Sequence, residues 1–248
     1  MRWQRHHFEY HSTIVTILSR QEYFKFAEKS LIESRMKLEA FINKNPLFRN
    51  AMEPVKIDFP APCVVKKMLY ASERTGTGPM AAVAGTFAQA AVASAVKNGA
   101  EECIVDNGGD ICLFIKEPVK IGLYTGSTET SNLAFLVEPR ERPFAICTSS
   151  GTVGHSFSFG KASLATVISE DASVADAAAT ALGNRVRSEK DLRYCFDFLK
   201  DIAEVEGAVV VYKDKFALWG SLPEIVRSEI DEEIITFGRF VYEQEQSL

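Results

Sequence analysis

The chain predicts an α+β fold in which an antiparallel sheet packs on helices. Three observations predict it. Short β-branched and aromatic runs come in adjacent pairs, as hairpins do. Longer stretches between them carry apolar residues at helical spacing. No strand-like run leads into GxGxxG or a Walker loop, which argues against a dinucleotide-binding parallel sheet. The order strand–strand, helices, strand–strand occurs twice, about residues 5–116 and 143–220, so residues 1–248 are expected to form one domain with two pseudo-repeats.

In chain order, RHHFEY and STIVTILSR read as two strands within residues 5–18. Phe24, Leu31, Ile32, Leu38, Phe41 and Ile42 then fit a helix over about Gln21–Asn43, stopped by Asn45-Pro46. Pro54–Pro62 reads as irregular and Pro62–Glu73 as a second helix. Thr75-Gly-Thr-Gly-Pro79 is a turn into a third helix, Met80–Lys97, with Pro79 at its first position and Asn98-Gly99 closing it. That helix is almost entirely small residues, so another backbone or a ligand must approach it closely; tight packing alone also accounts for this. Glu102–Val105 and Ile111–Ile115 read as a hairpin around Asp106–Asp110, a run longer than a minimal turn. Val119–Tyr124 is a strand and Thr125–Asn132 a loop. Phe144–Thr148 and Leu164–Ile168 are strands, Val174–Leu182 and Glu189–Ile202 helices, and Gly207–Tyr212 with Lys215–Trp219 a hairpin about Lys213-Asp214. Pro223–Glu243 is a mixed surface element.

Composition narrows the function classes. With 46% hydrophobic and 25% charged residues the chain is that of an ordinary globular protein, and a net charge of −5 argues against a nucleic-acid binder with a broad basic face. The start lacks an apolar h-region and no apolar run approaches membrane-spanning length, so a cytoplasmic protein without membrane partners is expected. Cys63, Cys103, Cys112, Cys147 and Cys195 contain no CxxC and sit in apolar surroundings, which reads as reduced core thiols. His7 and His11 share strand parity while His6 faces the other way, against a three-histidine metal site.

The stretch Thr148–Asn184 carries the candidate chemistry. It holds a hydroxyl- and glycine-rich turn, His155, and an Ala-rich helix bearing Asp176 and Thr180. Four residues apart, these two share a helix face, and a carboxylate with a hydroxyl can offer hard oxygens to a magnesium-like cation. The competing structural reading is a capping box over Ser173–Asp176, with Asp176 bonding back to the helix start and Thr180 to its own turn.

Four segments in order, GPMAAVAG from Gly78, NGGD from Asn107, TSSGTVGHSFSFGKA from Thr148 and ADAAAT from Ala175, resemble the ApbE-like superfamily and, more closely, its UPF0280 branch. The match spans about residues 62–184 well and the flanks more loosely. The resemblance implies an ApbE-like, T-fold-related architecture and the chemistry of FAD:protein FMN transferases, which use Mg²⁺ to attach FMN to a threonine of an acceptor protein. By motif it implies Asp176 and Thr180 as Mg²⁺ ligands beside a main-chain carbonyl of Ala81–Ala84. Met80, Ala81, Asn107, Gly108, Gly109, Asp110, Thr148, Ser149, Ser150 and Gly151 would lie against FAD, and His155 would accept a hydroxyl proton.

The chain departs from that pattern twice. Ala84 stands at the lysine of the family's AKG element, and Ser156–Lys161 replaces an acidic DP.TG run after the histidine, with Lys161 as a substitute cation. Two functions therefore follow from the resemblance: a Mg²⁺-dependent FMN transferase or FAD pyrophosphatase, or a non-catalytic flavin- or nucleotide-binding accessory protein of small-molecule, including sulfur, metabolism. A homodimer is plausible from the aromatic strands and the N-terminal hairpin.

Overall fold

A computed structural model describes residues 3–123, 132–150 and 160–228. Strands β1 (Gln4–Tyr10) and β2 (Thr13–Ser19) pair antiparallel through a turn in which His11 has φ 55°. His6 points inward, stacking on Phe24 at 4.7 Å and meeting Glu28 Oε1 at 2.5 Å, while His7 and His11 are exposed. The three histidines do not converge.

Helix α1 (Gln21–Lys44) buries Phe24, Ala27, Leu31, Ser34, Leu38 and Phe41, a 3–4 spacing that makes one continuous apolar stripe. Asn45 caps it by donating from Nδ2 to Phe41 O at 3.0 Å. Pro46 does more than stop the helix. It opens a short second one, α2 (Pro46–Asn50), whose Phe48 packs edge-on against Phe41 at 5.1 Å. Helix α3 (Cys63–Thr75) ends at Gly76, whose φ of 73° suits a glycine. The expected Met80–Lys97 helix is in two parts, a 3₁₀ turn (Pro79–Ala82) and α4 (Val83–Lys97). The break follows from the i→i+3 bond Ala81 N to Gly78 O, 3.1 Å, which winds the first turn too tightly to be α-helical.

Strands β3 (Cys103–Asn107) and β4 (Asp110–Phe114) form a tighter hairpin than the sequence suggests: Asn107 pairs with Asp110, and Gly108 and Gly109, φ 70° and 99°, are the whole turn. Strands β5 (Val119–Gly122) and β6 (Leu133–Val137) follow; β6 has no counterpart in the sequence reading. The expected Thr125–Asn132 loop lies, but for Asn132, outside the described residues. Then come β7 (Phe144–Ser149), β8 (Leu164–Ser169) and α5 (Ala172–Arg185). The expected helix Glu189–Ile202 is instead two 3₁₀ turns, Glu189–Arg193 and Asp197–Asp201. Its buried residues Cys195, Phe196, Leu199 and Ile202 fit either spacing, but the bonds Asp197 N to Tyr194 O, Leu199 N to Phe196 O and Ile202 N to Leu199 O close i→i+3 turns. Strands β9 (Val205–Tyr212), β10 (Lys215–Gly220) and β11 (Glu224–Arg227) complete the described chain, and the rest of the expected C-terminal element lies outside it.

Eight strands make one antiparallel sheet in the order β1-β2-β3-β4-β7-β8-β9-β10, and β11-β6-β5 make a second. Side chains alternate between two cores across the large sheet. Val105, Cys112, Cys147, Val167 and Val210 face the helices, while Ile104, Leu113, Ile146, Ile168 and Val209 face the second sheet. With a core on each face of the sheet, β8 is buried at every position, Thr166 and Ser169 included. Pro79–Lys97 is 19 residues and apolar enough to span a membrane by length and composition, contrary to the sequence reading; half of it is buried inside the protein. All five cysteines are free, and Cys63, expected in apolar surroundings, is exposed at the start of α3.

Candidate functional site

Strand parity decides which predicted residues meet. Asn107 on β3, Asp110 on β4 and Ser149 on β7 share parity with Val105, Cys112 and Cys147, so all three face the helix layer. Thr148 has the opposite parity, and its hydroxyl pairs with that of Thr166 at 2.9 Å on the side of the second sheet. Thr148 therefore reaches the hairpin only through its backbone, donating to Gly109 O at 3.1 Å. Ser150 Oγ donates to Ser163 O at 2.8 Å. Gly151 and His155 lie outside the described residues.

Above this strand end stand the first turns of α4 and α5. Asp171 is the N-cap of α5, accepting from Ser173 N at 2.8 Å and Val174 N at 3.3 Å. The capping-box reading of Asp176 is thereby corrected: the cap is already supplied five residues earlier, and Asp176 is free to turn toward α4. There its Oδ2 accepts from Gly85 N at 2.8 Å, which satisfies one of the amides that a helix start leaves open. The helices touch backbone to side chain at this point. A Cβ on Gly85 would sit 2.2 Å from Ala172 O and 2.8 Å from Asp176 Cβ. Asn107 completes the junction by donating from Nδ2 to Ala84 O at 3.1 Å, which ties the Gly108-Gly109 hairpin to the same turn of α4. Met80 and Ala81, in the preceding 3₁₀ turn, are half-buried, as is Thr180 one turn beyond Asp176.

The electrostatics of the junction are unusual. Asp110 and Asp176 are only 8% and 7% exposed. Burial pushes Asp176 up to about 7, against the pull of the Gly85 and Ala84 amides. Burial, reinforced by the charge of Asp176, pushes Asp110 well above the usual carboxylate range. Burial and the two carboxylates likewise hold the Cys147 thiol well above its ordinary value, so it is no nucleophile. Asp110 Oδ1 and Ser149 Oγ are buried with no hydrogen-bond partner among the described residues. Such orphans are rare in native proteins, and here they fall on neighbouring strands facing the same space.

The donor set suits a hard cation: a carboxylate and a hydroxyl one turn apart on α5, an orphaned carboxylate oxygen on β4, and main-chain carbonyls at the 3₁₀-to-α junction. It is not a cluster of nitrogen and sulfur ligands; no group of three or more His, Cys, Asp or Glu able to hold a metal occurs among the described residues. The Lys161 amide is bonded to Val186 O at 2.7 Å, past the C-terminal end of α5, the end opposite to the Asp171 cap. Two surface clefts are separate from this junction. One of about 210 Å³ lies by Arg140, Arg142 and Phe144, at the opposite end of β7, and another of about 320 Å³ by Trp3 and Arg20.

Sequence reasoning missed Gly85 as the partner of Asp176 and Thr86 beside it. The available signal was a glycine inside an otherwise Ala-rich helix, which marks close backbone approach.

Comparison with known proteins agrees with this fold. A family model described as AbpE bacteria matches residues 2–196. A UPF0280 protein of Methanocella arvoryzae is 46% identical over 231 residues, covering 93% of this chain and 94% of its own length. One of Methanothrix thermoacetophila is 45% identical over 236 residues, covering 94% and 99%. Among solved structures, the flavin transferase ApbE from Vibrio cholerae superposes with TM-score 0.59 at 14% identity, covering 88% of this chain and 97% of that one. The apo flavinyl transferase ApbE of Pseudomonas stutzeri gives 0.55 at 12%, covering 89% and 96%. At those identities the structures establish the shared fold.

Proposed function

The chain belongs to the UPF0280 family, and from that premise we propose that the junction of α4, α5 and the Gly108-Gly109 hairpin binds a flavin nucleotide through a divalent cation. The observation that carries the reading is the pair of buried, mutually repelling carboxylates, Asp110 and Asp176, with Asp110 Oδ1 left without a hydrogen-bond partner among the described residues. Two acids buried together are unfavourable as anions, and a bound cation removes both the desolvation and the repulsion.

Asp176, Thr180 and a carbonyl of the Ala81–Ala84 segment would hold Mg²⁺, which supplies charge neutralisation to the pyrophosphate of FAD. Gly108 and Gly109 let the ligand approach the backbone where a Cβ would intervene. Ser149 Oγ, buried at 4% exposure and without a partner among the described residues, is a donor ready for a ligand oxygen. Met80, Ala81, Asn107, Ser150 and Gly151 complete the expected surroundings. In the transferase form of the reading, an acceptor hydroxyl oxygen bonds to the FMN phosphorus, the bond to AMP breaks, and His155 takes the proton. Titration calorimetry with FAD in MgCl₂ and in EDTA tests the reading: Mg²⁺-dependent binding supports it, and no heat under either condition refutes it.

A specific observation keeps the second reading, a binding protein without turnover. By the resemblance Ala84 stands where the transferases carry a lysine, and the Lys161 backbone is bonded to Val186 past the C-terminal end of α5. Turnover of FAD to AMP separates the two.

A further inference from the structure

The α4–α5 interface is made of small side chains. Gly85 on α4 lies against Ala172 on α5, where an added Cβ would meet Ala172 O at 2.2 Å, and almost every residue of α5 from Ala172 to Gly183 is buried. Helices with such smooth faces have shallow ridges and grooves, so interdigitation does little to resist sliding of one along the other. Directional bonds must then fix the register. Side-chain bonds between these helices include those from Asp176 to the α4 amides at Ala84 and Gly85 and the hydroxyl pair of Thr86 and Ser173 at 2.9 Å. Both hydroxyl residues are 1% exposed.

Thr86 Oγ1 lies 2.5 Å from Ala82 O, the last carbonyl of the 3₁₀ turn, and 2.9 Å from Ser173 Oγ, and its one proton is shared between these two acceptors. The relay Ser173–Thr86–Ala82 thus links α5, α4 and the 3₁₀ turn, the three elements that carry Asp176 and the junction carbonyls.

We infer that the Thr86–Ser173 pair is the positioning device that makes the site selective for a small divalent cation. Mg²⁺ requires near-octahedral geometry at about 2.0–2.1 Å, whereas Ca²⁺ accepts looser shells at about 2.3–2.6 Å. A register held to a few tenths of an ångström favours the first ion, and a loosened register favours the second. This rests on the cation-binding reading of the same site.

The test compares wild type, Thr86→Val, the double variant Thr86→Val/Ser173→Ala and Thr86→Ser. Thr86→Val keeps the shape but leaves the Ser173 hydroxyl unpaired; the double variant removes both partners, so a folding defect in one is checked by the other. Mg²⁺ and Ca²⁺ affinities are measured on each by titration, and exchange of the Gly85 amide is followed in metal-free protein. Expected are a fall of about tenfold or more in Mg²⁺ affinity with Ca²⁺ affinity changed less than about threefold, faster Gly85 exchange in both valine variants, and recovery of all three properties in Thr86→Ser. An unchanged Mg²⁺/Ca²⁺ ratio in the valine variants overturns the inference and leaves the cation site standing. Wild type that binds neither ion overturns both.

Discussion

Asp176 on α5 accepts a 2.8 Å hydrogen bond from the backbone amide of Gly85 on α4, across 91 residues of sequence. The contact fits only because position 85 has no side chain: an added Cβ would lie 2.2 Å from Ala172 O. Gly85→Ala is therefore expected to push the helices apart, lowering stability by roughly 3 kcal/mol, at the upper end of overpacking costs, and to abolish cation binding. Thermal melts and a Mg²⁺ titration on the same sample check this; a variant that melts and binds like wild type shows that the contact is not so constrained.

Metal-free protein should lose stability as pH rises. Asp176 goes from an ordinary 3.8 to about 7 on folding, so between those values the folded chain binds more protons than the unfolded one. The favourable contribution is complete below the lower value and gone above the upper, and Asp110 moves in the same direction. Melts in EDTA at pH 5 and pH 8 should show the lower Tm at pH 8, with a smaller difference in Asp176→Asn. A Tm that rises over that range contradicts the electrostatics described above.

Divalent cation should reverse that trend. Binding to the charged form and not to the unfolded chain stabilises by mass action, so saturating Mg²⁺ is expected to raise Tm more at pH 8 than at pH 5. Asp176→Ala should remove the shift and Thr180→Val reduce it. An equal Mg²⁺ effect in Asp176→Ala places the ion elsewhere.

The glycine turn separates strain from ligand contact. Gly108 has φ 70° with nothing within 4 Å of an added Cβ, so Gly108→Ala meets strain without a clash, about 1–2 kcal/mol for an alanine in the left-handed region. Asparagine tolerates that conformation better, so Gly108→Asn should recover stability without recovering FAD affinity, because its side chain still stands in the ligand's approach. Melts and FAD titrations on both variants decide: full affinity in Gly108→Asn means the turn is structural alone.

Much of this architecture was legible in local pattern. The 3–4 spacing of Phe24 to Phe41, the β-branched run of β2 and the turns at Asn98-Gly99 and Lys213-Asp214 each report a nearby, mostly helical or hairpin geometry. What was not legible is set by tertiary packing. β6 is a five-residue strand held between the preceding β5 and the distant β11, and the 3₁₀ turns after Ser188 carry apolar residues that also fit an α-helical spacing. At the site, residue types were readable but their direction was not. Thr148 turns to Thr166 because strand parity sends it to the other face, and Asp176 turns to Gly85 because Asp171 already caps its helix. Neither relation exists within a short window of sequence.

Native mass spectrometry of the full chain with FAD and Mg²⁺, wild type beside Asp176→Ala, tests the central claim most directly. One flavin bound per chain in Mg²⁺, absent in EDTA and absent in Asp176→Ala, is the predicted result. AMP release in the same sample, lost in His155→Ala, identifies turnover, and retention of intact FAD identifies a binding protein. A wild-type chain that takes up no flavin, or an Asp176→Ala chain that takes up as much as wild type, contradicts the claim.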